Sequence, residues 1–378
     1  MKSDKTTPNV PTLRFAEFTD EWGKYELSHF VTRITRRNKN NESSLPLTIS
    51  AQYGLVDQIS FFNKTVASVD LSGYYLLYNG DFAYNKSYSN DYAWGAVKRL
   101  DKYEKGCLSS LYFVFRPNDN IDSDYLTHYF ESSKWHKGIS NIAGEGARNH
   151  GLLNMAVDDY FATKHYLPSL PEQKKIARVF NAITRRIGIQ NKIISKYETL
   201  IKGLCDMIFR HNKSVSLSDL VKCKTSALQE NTVSTCHRGE YKVLGASGAI
   251  AAIDTYQFEE SGILVLKDGS KAGKIQFAQG KYSVVGTSVV LIPNEACDAR
   301  YLYFAMSSID FEKYKVGSGI PHIYFKDYSN ERIYYPDKAL RKKITKTLDF
   351  YESMVEIERK MLSAMQKQKA FLLQSMFI

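Results

Sequence analysis

The side chains in this sequence best suited to chemistry are binders. Tyr84-Asn85-Lys86-Ser87-Tyr88 and Lys98-Arg99 put aromatic, amide, hydroxyl and cationic groups near a turn, and Arg148-Asn149-His150 close a loop that opens at Gly144. In a DNA major groove asparagine matches the edge of adenine and arginine that of guanine, while lysine and serine hold phosphate oxygens. Farther along, Lys267, Ser270, Lys271 and Lys274 lie on one glycine-bearing stretch, and Ser318 and His322 on another. These residues are the candidates for contact with double-stranded DNA. The competing reading makes Tyr84 and Tyr88 core aromatics and leaves the lysines solvated.

No catalytic constellation accompanies them. Gly269-Ser270-Lys271-Ala272-Gly273-Lys274 is too short between its glycines for a phosphate loop, and no Ser or Thr follows the lysine. Neither Asn-Pro-Pro-Tyr nor Asp-Pro-Pro-Tyr occurs to hold a base for methyl transfer, and no nuclease carboxylate cluster stands out. The eight histidines are scattered, and the five cysteines (Cys107, Cys205, Cys223, Cys236, Cys297) lack the paired short spacing of a zinc site. The expectation is a protein without metal, cofactor or catalysis of its own, one that targets chemistry done by others.

Charge points the same way. Residues 1–165 balance 19 basic against 19 acidic side chains and residues 214–335 balance 13 against 13, so the net +11 resides elsewhere. It lies in 166–213, with 10 against 3, and in 336–378, with 9 against 5. Lys174, Lys175 and Arg178 in one span, and Lys342 and Lys343 in the other, are the expected phosphate contacts. A solvated helix face is the alternative for any single lysine.

Those two spans are the elements that must position the rest. Ile176, Phe180, Ile183, Ile187, Ile194, Tyr197, Ile201, Leu204 and Ile208 recur at alternating steps of four and three, with Gln190 as the polar member of the series. That is a heptad seam. Adding 168 residues, a whole number of heptads, gives Ile344, Leu348, Tyr351, Val355, Leu362, Met365, Lys369, Leu372 and Met376, and Gln190 falls on Glu358. Shared register and a shared polar interruption mark an internal duplication. A helix that long is marginal alone in water, whereas each buried Leu or Ile gains roughly 1.5 to 3 kcal/mol. The two helices should therefore pair antiparallel, with Gln190 and Glu358 fixing register. Ser169-Leu170-Pro171-Glu172 reads as a capping box at the first helix start, and Gly203 either admits close backbone approach or is simply tolerated.

The intervening stretches read as β-rich. Short runs of Tyr, Phe, Val and Thr between turn residues fill 22–117, as in Tyr74 to Tyr84 around Asn79-Gly80, and a short helix follows near Asp124 to Ser132. Tyr125-Leu126 recurs as Tyr301-Leu302, and the loop Gly317 to His322 matches Gly144 to His150. The expected organisation is an arm over 1–21, a domain over 22–166, a helix over 167–213, a second domain over 214–335 and a second helix over 336–378. In fold class this is α+β: two mixed, β-rich domains joined by a long intramolecular antiparallel two-helix coiled coil, in a pseudo-twofold internal repeat. No run approaches 18 apolar residues and the first residues lack the apolar core of a signal peptide, so a cytoplasmic protein with no membrane role is expected.

This plan resembles the specificity subunit of type I restriction-modification systems. The resemblance is carried by Leu13-Arg14-Phe15 with Phe18 and Trp22, by Leu167-Pro168-Ser169-Leu170-Pro171-Glu172-Gln173-Lys174-Lys175-Ile176, by the paired glycine loops and by Leu372 to Phe377. It implies that each domain is a target recognition domain reading one half of a bipartite DNA site. It further implies that the coiled coil spaces the halves and docks methyltransferase subunits, two of them, and that restriction and translocase subunits join through the complex. Tyr335-Pro336-Asp337 departs from the pattern by lacking Pro-Glu-Gln. A standalone DNA-binding regulator and a coiled-coil adaptor without a DNA role are the other classes the sequence admits.

Overall fold

A computed structural model describes residues 9–378 apart from 65–66, 69, 90–91, 145–150, 212–213, 234, 237, 296–297 and 318. The chain divides into two compact units, one running to Ile189 and taking back Leu362–Ile378, the other Gln190–Met361. Each unit therefore holds one β-rich domain, part of the long helix Leu170–Phe209 and part of the long helix Lys338–Ser375.

In the first unit a four-stranded antiparallel sheet has the order Val31–Arg33, Phe113–Pro117, Phe82–Asn85, Ala96–Arg99. Period-two alternation sends successive side chains to opposite faces. Phe82, Tyr84, Phe113 and Phe115 consequently enter the core shared with the helices, while Ala83, Ala96 and Val114 enter a separate core beneath the smaller strand pairs. The Asn79-Gly80 turn does not join a hairpin. Tyr75–Tyr78 pairs with Lys105–Leu108, so the turn passes the chain from one sheet to another. The leading arm is anchored in this unit: Leu13 N donates to Ser375 O at 3.0 Å, and the Arg14 guanidinium makes a fork to Glu172 at 2.7 and 2.8 Å.

The second unit repeats the sheet, in the order Val221–Thr225, Ser288–Pro293, Gly262–Leu266, Ile275–Ala278. Its two faces are also both covered, Ile263, Val265 and Leu291 by the helical core and Leu264, Val290 and Ile292 by a second cluster. Register defines which residues are equivalent. Val31 pairs with Pro117 and Val221 with Pro293, and Phe82 pairs with Phe115 as Ile263 does with Leu291. Lys86 therefore stands where Lys267 stands, and Ser87 where Asp268 stands.

Within each unit the helix parts run antiparallel. Phe180 stacks on Phe377, with centroids 5.5 Å apart, while Ile187 shares a cleft with Gln366, Ala370 and Leu373. In the second unit the Gln190 amide donates to the Glu358 carbonyl at 3.1 Å and to its carboxylate, while Ile201 and Cys205 share a cleft with Glu352 and Val355. Every one of the seam residues is buried or half-buried, and Phe209 and Phe377, 168 residues apart, are both fully buried. Nothing lies within 4 Å of a Cβ added at Gly203, so that glycine is tolerated and no close approach requires it.

The same positions seat each domain on its helices, with different chemistry. In the first unit Asp122 N donates to the Gln173 side chain at 2.8 Å, Gln173 Nε2 donates to Pro168 O at 3.0 Å, and Asn181 donates to Asp124 at 2.8 Å. In the second, Arg341 makes a fork to Asp298 at 3.0 Å on both oxygens and donates to Pro336 O at 2.7 Å, and Arg300 pairs with Asp349 at 2.6 Å and with Glu352. At the first helix start the Glu172 carboxylate, the acidic member of the expected capping box, is held by the Arg14 fork. At the second helix start Asp337 does the capping, accepting from Leu340 N at 3.0 Å.

Candidate nucleic-acid interface

In the first domain the candidate residues sit where the strand Phe82–Asn85 ends. Asn85 Oδ1 accepts from Ser87 N at 2.9 Å, a local turn that reverses the chain. Leu153 N donates to Lys86 O at 3.0 Å and Tyr88 N to Gly151 O at 3.1 Å, with a bridge between Ser87 and Leu152. A second segment is thus crossed over the strand end and pinned there. Ser87 is exposed, Asn85 and Tyr88 half-buried, and the Lys86 ammonium lies 4.8 Å from the Phe113 ring centroid, where burial lowers its pKa.

Two sequence candidates, Tyr84 and Arg99, are corrected. Tyr84 is fully buried, stacked on Tyr160 at 4.8 Å, and donates to Trp94 O at 2.9 Å, so its ring belongs to the core and reaches no groove. Arg99 is committed to Asp101 at 2.6 Å and Asp124 at 2.7 Å, which leaves no open fork for guanine. Lys98 lines a cleft with Glu131 and Lys369, and burial lowers its pKa against the opposing pull of Glu131. Register separates this pair from the strand end: Phe82 lies opposite Arg99, whereas Asn85 lies opposite Ala96. Arg148, Asn149 and His150 lie outside the described residues.

In the second domain the structure brings the candidates together. Lys267, at the end of Gly262–Leu266, accepts from Ile323 N at 2.9 Å, and Gly269 N donates to Pro321 O at 3.0 Å. These are the two backbone bonds that pin the first domain's crossing. Equivalence therefore places His322 opposite Leu152, which corrects the alignment of His322 with His150. Ser270, Lys271 and Lys274 are exposed on the turn, and neither lysine has a carboxylate partner among the described residues. Gly273 has φ +87°, and a Cβ there would lie 2.5 Å from the Phe311 side chain, so glycine is required. His322 Nδ1 lies 2.7 Å from Asp268 Oδ1, a partner that no spacing in the sequence announces across 54 residues. Ser318 lies outside the described residues.

The expected phosphate contacts divide as well. Lys174, Arg178, Lys342 and Lys343 are exposed at the helix starts. Lys175 is occupied: it pairs with Glu17 of the arm and sits 4.5 Å from the Phe15 ring centroid. Among the described residues no helix is long and apolar enough to cross a membrane.

Two β-rich domains of one plan, each seated on antiparallel helix parts and each offering a pinned strand-end loop with amide or cationic side chains, define a duplicated scaffold. The sequence profile of the type I restriction modification DNA specificity domain matches residues 210–366. That match spans less than half of the chain. The type I restriction enzyme MjaVIII specificity subunit of Methanocaldococcus jannaschii is 28% identical over 122 residues, which cover 31% of this chain and 28% of that protein. The matched segment thus spans less than a third of that relative. Among solved structures, the type I restriction-modification S subunit from M. genitalium shares the fold over 98% of this chain and 99% of its own, with a TM-score of 0.61 at 15% identity. A chain from a structure of type I restriction-modification complex assembly and conformational transition matches 93% of this chain and 96% of its own, with a TM-score of 0.53 at 15% identity.

Proposed function

We propose that this chain is the DNA specificity subunit of a type I restriction-modification complex. Each β-rich domain reads one half of a bipartite site, and the paired helices set the spacing and dock two methyltransferase subunits. Restriction and translocase subunits join through that assembly. The chain is a cytoplasmic targeting subunit, binds no cofactor, and directs methylation and cleavage carried out by its partners. One observation supports this reading above the rest: the same two backbone bonds pin the same strand-end crossing in both domains, while the side chains displayed there differ. A scaffold held constant under a varied surface is what two readers of unlike sequences require.

Replacing residues 25–160 with the corresponding domain of another such chain tests it. Mapping of methylated sites in cells carrying the partner subunits should show one half-site changed and the other kept. Change in both halves, or in neither, removes the assignment.

A further inference from the structure

The crossing in the second domain holds a pair of side chains that the first domain lacks. Where the first domain has Ser87 and Leu152, the second has Asp268 and His322, joined by the same kind of backbone bridge and by a 2.7 Å contact from Nδ1 to Oδ1. The imidazole is 41% exposed and the carboxylate 29%. The His322 backbone is flanked on both sides, by the bridge to Asp268 and by a second bridge to Val316, in which Val316 N donates to His322 O at 2.9 Å and His322 N to Val316 O at 2.8 Å. Gly317, at φ +97°, makes that tight return possible; a Cβ there would lie 2.8 Å from Ile320 O. No protein group among the described residues bonds Nε2.

A carboxylate only accepts, so the neutral imidazole beside Asp268 carries its proton on Nδ1 and turns the lone pair of Nε2 to the other side. An outward acceptor, on a crossing whose neighbouring turn exposes Lys271 and Lys274, matches a donor on a base edge. In the major groove those donors are the exocyclic amines of adenine and cytosine, whereas guanine offers two acceptors there. We infer that His322 reads an adenine or cytosine in the half-site taken by the second domain, and that Asp268 is the positioning residue that fixes its tautomer; this rests on the DNA-reading function proposed above.

The test is made on the full chain co-expressed with its modification subunits, by sequencing methylated sites. Asp268→Asn keeps the shape but can accept from or donate to Nδ1, so it admits both tautomers. Guanine should then be accepted at one position of one half-site, with discrimination falling about tenfold. His322→Ala should abolish preference at that same position and leave the other half-site untouched. A purely packing role for Asp268 predicts lower yield with an unaltered base preference, and that result overturns the inference. So does an unchanged profile for His322→Ala while Lys271→Ala weakens methylation, an outcome in which the second domain still binds DNA. If none of the three variants alters methylation, the proposed loop itself is wrong and the inference falls with it.

Discussion

Arg341→Gln in the second unit makes that unit resemble the first at one buried position. Arg341 is 8% exposed and Asp298 5%, and the pair is bidentate. Gln173, the equivalent residue, makes its bond to Pro168 O, so a glutamine at 341 can retain the bond to Pro336 O and the substitution removes chiefly the charge partner. Tyr335 still donates to the Asp298 carboxylate, which softens the loss. Breaking a buried ion pair by deleting one member costs about 3 to 5 kcal/mol, so the lower end, about 3 kcal/mol, applies. At about 2 to 4 °C per kcal/mol for a unit of this size, melting of the second unit should fall by about 6 to 12 °C. Adding Asp298→Asn removes the stranded charge and should recover more than half of that. Calorimetry and urea unfolding of the four proteins in the cycle give the coupling energy. A loss under about 1 kcal/mol for Arg341→Gln, or a double variant no better than the single, would refute the claim that this charge pair seats the second domain.

Two further outcomes follow from the helices and the first core. Inserting one heptad into both long helices keeps the seam in phase and adds about 10.5 Å, about three base pairs at 3.4 Å each, so the gap between methylated half-sites should lengthen by about three; an unaltered gap would defeat the spacing role. His165 is buried and bonded to Tyr129 and Thr163 at 2.7 and 2.8 Å, and burial lowers its pKa from 6.5 to about 4. Because the folded state holds the neutral ring, the unfolded chain protonates first on acidification. Stability from this site is full above about pH 6.5 and falls toward pH 4, by about 3 kcal/mol in all. Urea unfolding of the intact chain across that window should show the slope, and His165→Gln should flatten it.

The heptad seam was legible from spacing alone, because every second turn of a long helix must bury the same face, and the same spacing marked Gln190 and Glu358 as partners. The duplication was equally plain, since a shift of 168 residues carries eight of the nine apolar seam positions onto apolar residues and Gln190 onto Glu358. What the sequence by itself determined, then, was the frame: two long heptad helices and two β-rich domains. Only the tertiary structure decided which candidates reach the surface. Tyr84 went to the core because alternation fixes that it shares a face with Phe82, but not which face the helices cover. Arg99 was spent on carboxylates supplied by a turn and by another helix. His322 and Asp268 met because sheet register joins segments 54 residues apart, and pairing at that distance depends on backbone geometry that no local pattern encodes.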